Sequence, residues 1–314
     1  MDEQQVSQTP IPLILITGFL GSGKTSLMEH IIQRYADRKL VYLVNEFAPV
    51  DMDGQRLSVF GKDLVEVPGG SIFCSCLVTD FLDILQWIPK RYGADLEGVV
   101  IEASGMANPK VIGRMLRETR LEGLYQLAQV ITVVDPATYP TLLQTLPNIV
   151  AQVEAADLIL LNKCDLHRDV VIAALETVLR DSNPTARIHC SSHGCLPEDW
   201  HLNGASTAEA LDADYALCRD PHYQSFIASF QGPVDMASLM DSLKGVEAEL
   251  YRVKGYVPTE DGVQYLEFAG GRWQTELARN APEKPPWELV LIARGEACER
   301  TEAWVAGLNA ALTT

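Results

Sequence analysis

An apolar run, Pro12-Leu13-Ile14-Leu15-Ile16-Thr17, stops at a glycine-framed turn, Gly18-Phe19-Leu20-Gly21-Ser22-Gly23-Lys24-Thr25, which opens a helix-compatible segment ending at Tyr35. No other stretch narrows the folds open to this chain so far. A continuous Ile/Leu run suits a strand buried on both faces, and such strands belong to parallel sheets covered by helices. The turn has its own chemistry. Its glycines, Gly18, Gly21 and Gly23, permit backbone conformations that aim successive N–H groups at phosphate oxygens. The helix N-terminus, with Ser22 before it and Ser26 in its first turn, adds partial positive charge at the same point. Lys24 is placed to reach the β- and γ-phosphates, and the Thr25 hydroxyl is a hard oxygen ligand for Mg²⁺.

The rest of the chain repeats the strand-then-helix rhythm. Strands are expected near Leu40–Asn45, Leu64–Val67, Gly98–Glu102, Val130–Asp135, Leu158–Asn162 and Arg187–Cys190. Helices fit Lys24–Tyr35, Leu77–Ile88, Pro109–Arg117 and Val170–Arg180. This alternation predicts an α/β domain with a mostly parallel sheet over residues 11–196, after a flexible tail over 1–10. Pro197–Asp220 is rich in Pro, Asn, Gly and acids with little periodicity, and reads as an exposed linker. Beyond it, strand patterns at Tyr223–Phe230, Glu249–Val257, Val263–Ala269 and Glu288–Ala293, with helices at Met236–Leu243 and Ala297–Leu312, predict a smaller α+β domain over 221–314.

Composition removes several classes of partner. The formal charge of −17 argues against a general grip on nucleic acid or anionic lipid. No apolar run approaches the roughly 20 residues that span a bilayer, and the N-terminus does not read as a signal peptide. Seven scattered cysteines make a disulfide framework improbable, so a cytoplasmic protein is expected. The six histidines show no ligand pairing.

Two further strand ends carry chemistry. Asn162-Lys163-Cys164-Asp165 follows Leu158-Ile159-Leu160-Leu161, and the loop after a parallel strand is where such sheets bind ligands. The Asp165 carboxylate can accept both the ring N–H and the exocyclic amine of guanine, a donor pair adenine lacks. Asn162 can contact the base or brace the loop, and the aliphatic stem of Lys163 can lie on the purine face. The base is therefore expected to be guanine. Glu102 closes Val99-Val100-Ile101 and precedes Ala103-Ser104-Gly105. Its carboxylate can hold Mg²⁺ while the Gly105 N–H approaches a γ-phosphate, and the same stretch also suits the start of a helix at Asn108-Pro109.

Thr17–Thr25, Val44-Asn45-Glu46-Phe47, Ile101-Glu102-Ala103-Ser104-Gly105 and Leu161-Asn162-Lys163-Cys164-Asp165 together resemble the CobW-like GTPases, of the CobW/HypB/UreG class of P-loop metallochaperones. The resemblance covers most of the chain. Leu250-Tyr251-Arg252-Val253-Lys254-Gly255-Tyr256 is similar to that family's C-terminal domain. It implies a P-loop NTPase fold, slow GTP hydrolysis with Lys24, Thr25, Glu102 and Mg²⁺ as the electrostatic parts, and coupling to Zn²⁺, Co²⁺ or cobalamin handling. It also implies docking on a metal- or cobalamin-dependent client protein, and leaves a homodimer open. Glu46 falls in the first switch segment, where it would sense Mg²⁺ or a transition metal.

Family members carry Gly-Cys-x-Cys-Cys ahead of the Glu-containing strand. This chain reads Gly70-Ser71-Ile72-Phe73-Cys74-Ser75-Cys76, so Ser71 and Phe73 replace two cysteines, Cys74 is kept and Cys76 is new. Two thiolates fill half of a tetrahedral shell, and Glu46, Asp51, Asp53, water or a partner would supply the remainder. Such a site suits transfer of an ion, or a redox-sensitive clasp, better than a permanent structural site, and the plainer reading is two ordinary small residues where a loop enters the helix Leu77–Ile88. The alternatives are a GTPase that remodels a corrinoid-dependent partner without carrying metal, and a P-loop small-molecule kinase, which the Asn162–Asp165 segment disfavours.

Overall fold

Residues 9–45, 63–67, 71–73, 78–202, 206, 211–216, 223–269, 271–278, 287–295 and 298–311 are described by a computed structural model. Strand β1 (Ile11–Thr17) leads into helix α1 (Lys24–Arg34). Then come β2 (Leu40–Asn45), β3 (Leu64–Val67), α2 (Val78–Tyr92), β4 (Gly98–Glu102), α3 (Val111–Glu118) and β5 (Tyr125–Val134). The short helices α4 (Tyr139–Leu142) and α5 (Pro147–Glu154) precede β6 (Leu158–Leu161), α6 (Asp169–Ser182) and β7 (Arg187–Cys190). The seven strands form one parallel sheet in the order β3-β2-β4-β1-β5-β6-β7. β2 and β4 are buried along their whole length, as their continuous apolar sequences require. Helix α1 presents Leu27, Met28, Ile31 and Ile32 to the interior, one face at helical spacing.

Helix α2 runs past the point where the sequence pattern stops it. A proline usually ends a helix at the preceding residue, yet Pro89 lies inside α2. The carbonyl that Pro89 leaves without its helical donor belongs to Leu85. The Tyr125 hydroxyl donates to that oxygen at 2.7 Å, from a buried position on β5. A tertiary donor thus replaces the missing amide, and the helix continues for one more turn.

The described residues after Leu196 do not form the exposed linker that the composition suggests. Trp200, Leu202 and Leu211 are buried. The Arg34 guanidinium donates to the carbonyls of Pro197 at 2.8 Å and Trp200 at 3.1 Å, and the Tyr35 hydroxyl also donates to Trp200. Leu211 joins the core beneath β1, β2 and β4, while Arg114 pairs with Asp214 at 2.6 Å. Isolated apolar residues at irregular spacing carry no period, which hides them from a pattern reading.

The chain divides into two compact units, and described residues from Tyr223 onward belong to the second. Strands β8 (Tyr223–Phe230), β9 (Leu250–Thr259), β10 (Gly262–Ala269), β11 (Arg272–Leu277) and β12 (Trp287–Arg294) form an antiparallel sheet ordered β11-β10-β9-β12-β8. Val253, Val257, Leu266, Phe268, Leu289 and Leu291 share a core with Leu239 and Leu243 of α7 (Met236–Lys244) and Val305 of α8 (Glu299–Ala311). The Asp235 carboxylate caps α7 by accepting from the Ser238 amide at 3.0 Å. Strand β11 has no counterpart in the sequence reading, because Arg272-Trp273-Gln274-Thr275-Glu276-Leu277 is a largely exposed edge strand with little apolar signal. The helices α4 and α5 likewise have no counterpart in the sequence reading.

Candidate functional site

The parallel sheet ends, strand after strand, in a buried polar residue. Thr17 closes β1, Asn45 closes β2 and Glu102 closes β4, while Asp135, Asn162 and Ser191 directly follow β5, β6 and β7. Burying six hydrogen-bonding side chains at one edge is costly unless they bond each other or a ligand. In a parallel sheet every carboxyl end faces the same way, so these residues line one site.

The phosphate loop fills the middle of this edge, above β1. Gly23 adopts φ 107°, and a Cβ there would lie 2.2 Å from Asn162 Nδ2, so only glycine fits. No side-chain hydrogen bond caps α1, and its first turn holds no acid. Its amides and dipole therefore suit an anion. Lys24 is 5% exposed and its Nζ donates to Phe19 O at 3.3 Å. The Thr25 hydroxyl donates to Glu102 Oε1 at 3.2 Å, which brings together two hard oxygen donors 77 residues apart in sequence. Thr17 Oγ1, Ser22 Oγ and Ser104 Oγ are buried without a partner among the described residues, three hydroxyls suited to phosphate oxygens or cation-bound water.

The Asn162–Asp165 segment is tied to the phosphate loop by its own side chains. Asn162 Nδ2 donates to Ser22 O at 2.9 Å, and its Oδ1 accepts from the Gly194 amide at 3.0 Å. Asn162 is thus committed to bracing the loop. Lys163, in the left-handed region at φ 60°, sends its Nζ to Gly21 O and to Asp135 Oδ2, both at 2.7 Å. Asp165 lies exposed in the short 3₁₀ turn Cys164–Leu166. Two neighbours went unread in the sequence. The sequence reading has Asp135 only as a strand end and assigns no role to the Ser191–Gly194 loop. Ser191 O accepts from the Cys164 amide at 3.0 Å, so that loop forms the other wall beside Asp165. The rule that ligands gather at strand carboxyl ends points to both, since each directly follows a parallel strand.

Asn45 gathers the remaining loops. Its Oδ1 accepts from the amides of Ile72 at 3.0 Å and Ser104 at 3.3 Å, and its Nδ2 donates to Val67 O at 3.0 Å. Gly105 sits so close to the phosphate loop that a Cβ would fall 2.7 Å from Leu20 N. Ser71 and Phe73, which stand where the resemblance places cysteines, are both buried. Phe73 meets Phe81 edge-on with ring centroids 6.5 Å apart. Glu46, Asp51, Asp53, Cys74 and Cys76 lie outside the described residues. Among the described residues, no group of three or more His, Cys, Asp or Glu is arranged to hold a metal ion. None of their helices is long and apolar enough to cross a membrane.

Residues 12–190 match the family model described as CobW/HypB/UreG, nucleotide-binding domain. Residues 223–312 match the cobalamin synthesis protein cobW C-terminal domain. The chain is 31% identical to the zinc chaperone YeiR of Escherichia coli, over 90% of this chain and 93% of that protein. It is 27% identical to the zinc chaperone YjiA of the same organism, over 96% and 99% of the two chains. It is 26% identical to the zinc chaperone CobW of a Sinorhizobium species, over 93% and 95%.

Proposed function

The chain belongs to the CobW/HypB/UreG family and is a GTPase, and from that premise we propose that it couples GTP hydrolysis to handling a transition metal, zinc first, and to delivering it to a client protein. One observation carries the reading. The phosphate loop, the Thr25–Glu102 oxygen pair and the Asn162–Asp165 turn share a single edge of the sheet, joined by hydrogen bonds. In this reading Gly18, Gly21, Ser22, Gly23, Lys24, Thr25 and Ser26 hold the phosphates, with the Gly105 amide near the terminal one. Asp165 selects guanine. Thr25 and Glu102 would hold Mg²⁺, which shields phosphate charge when bound. Lys24 brings a buried ammonium to the bridging oxygens, where charge grows during phosphoryl transfer. Ser22, Lys24 and Glu102 are buried, where electrostatic contacts are stronger than in bulk water.

The names of the relatives support zinc as the ion handled. Cys74, Cys76 and Glu46 are the proposed transient ligands, with Co²⁺ as a second candidate. A client that depends on metal or cobalamin, and a homodimer, belong to the same reading. A specific observation favours a second one. Phe73 is a core residue where the family pattern has a ligand, which suits a GTPase that remodels a corrinoid-dependent partner without carrying metal. Calorimetry with GTP and ATP, each with and without Zn²⁺ or Co²⁺, separates the two. We expect GTP to bind well over ATP, and Zn²⁺ to bind the wild type but not the C74S/C76S double variant. Equal Zn²⁺ binding by both proteins overturns the metal assignment, and equal binding of ATP and GTP overturns the guanine assignment.

A further inference from the structure

Lys163 is placed for the purine face, yet its ammonium is engaged elsewhere. It donates to Gly21 O in the phosphate loop and to Asp135 Oδ2, at 2.7 Å each. Asp135 is itself fixed. Its Oδ1 accepts from the Ala137 amide at 2.8 Å, and its side chain is 5% exposed, against 31% for Lys163. A carboxylate buried to that degree is retained in a core only when paired, and here it has one cation and one amide.

The position of Asp135 explains the arrangement. It follows β5, which lies in the sheet between β1, the strand feeding the phosphate loop, and β6, the strand feeding the Asn162–Asp165 turn. A carboxylate at that point is equidistant in topology from both halves of the site. Lys163 has four rotatable bonds and would lose much entropy if it were to settle against Gly21 O unaided. The Asp135 charge holds it there in advance. The left-handed backbone at Lys163, unfavourable for a residue with a Cβ, is a further sign that the surroundings fix this turn.

We infer that Asp135 is a positioning residue for nucleotide recognition. It clamps the Lys163 ammonium onto the Gly21 carbonyl, so that the Lys163 stem is a preformed floor for guanine and the base-reading turn and phosphate loop act as one body. The inference rests on the GTPase reading above and extends it to a residue that need not touch the nucleotide.

The test uses the full chain, with D135N, K163M and the double variant titrated against fluorescent GTP and ATP analogues. Steady-state GTP turnover and thermal melting without nucleotide complete the set. A charged hydrogen bond of this kind predicts that D135N weakens GTP binding about tenfold. The GTP preference over ATP should shrink by a similar factor, and the rise in KM should exceed the fall in kcat. The double variant should bind GTP no worse than K163M alone, because the two residues act through one contact. A D135N protein that melts lower but keeps its full GTP preference overturns the inference, as do additive losses in the double variant. D135S serves for the same comparison if D135N does not fold. A wild-type protein without GTP preference instead removes the underlying reading, and so the two failures are distinguishable.

Discussion

The two sheets of this protein bury polar residues in opposite ways. In the parallel sheet the buried polar side chains gather at one edge, from Thr17 on β1 to Ser191 after β7. In the antiparallel sheet the buried charges Arg252 and Lys254 lie within β9, and Arg252 donates to Glu267 of the neighbouring β10 at 3.2 Å. Connectivity accounts for the difference. Parallel strands all point one way and return through helices, so their carboxyl ends converge on one set of loops. Hairpin-linked strands alternate in direction, and neither end of such a sheet collects a site. On the proposals above, the Asp135–Lys163 pair of the first unit serves the site, whereas Arg252–Glu267 ties two neighbouring strands of the second.

Substitutions of comparable chemistry in the two units put this contrast at risk, starting with the largest effect. Lys24→Ala should lower GTP turnover by at least about 100-fold, as loss of a preorganised donor at a transferring phosphoryl group does. Its partner experiment is Glu267→Gln, which should cost the second unit about 2 kcal/mol in urea unfolding while turnover stays within about twofold. Phosphate release and urea titration measure both, and a large turnover loss in the Glu267 variant would break the contrast.

Next comes Tyr125→Phe, which strips the donor from Leu85 O under Pro89. A loss of about 1–2 kcal/mol is expected, the cost of leaving a buried carbonyl unpaired. The KM for GTP should not move, because Tyr125 lies at the start of β5, away from the edge that holds the site. A shifted KM would show that the amino end of the sheet also bears on nucleotide binding.

The smallest effect expected is acid sensitivity of the first unit. Burial, and then the neighbouring Arg34, hold His30 below the ordinary value of 6.5, and burial with Arg187 does the same for His189. A histidine lowered in the folded state binds its proton more readily when unfolded. Stability is therefore intact above pH 6.5 and declines as pH falls through 6.5 toward the lowered folded values. Melting temperature followed across that window should drop, and the paired variant H30Q/H189Q should flatten the slope. An unchanged slope would assign the acid response to carboxylates.

Much of the site is legible in the sequence, for reasons particular to each residue. Gly18–Thr25 can be read because a strand, a glycine turn and a helix start must be contiguous to make a phosphate cradle. Asn162–Asp165 can be read because its neighbours in sequence are also its neighbours in the turn. Asp135 and Ser191 are marked in the sequence only by their place after a strand. Each is a common polar residue after a strand, and its role comes from Lys163 or Cys164 arriving from another strand. Asn45 is similar, with three backbone partners on three separate segments.

The sequence alone determined the alternation of strands and helices, the glycine turn between β1 and α1 and the place of Asn162–Asp165 after β6, since all of these follow from short-range periodicity and backbone conformation. The tertiary structure decided what distance in sequence conceals. It set the order of the strands, the rescue of Leu85 O by Tyr125, and the packing of Trp200 and Leu211 onto the first unit. It also brought Asp135 to the Lys163 ammonium. Hydrogen bonds and ion pairs act over a few ångströms of space, and only the folded chain fixes which residues come that near.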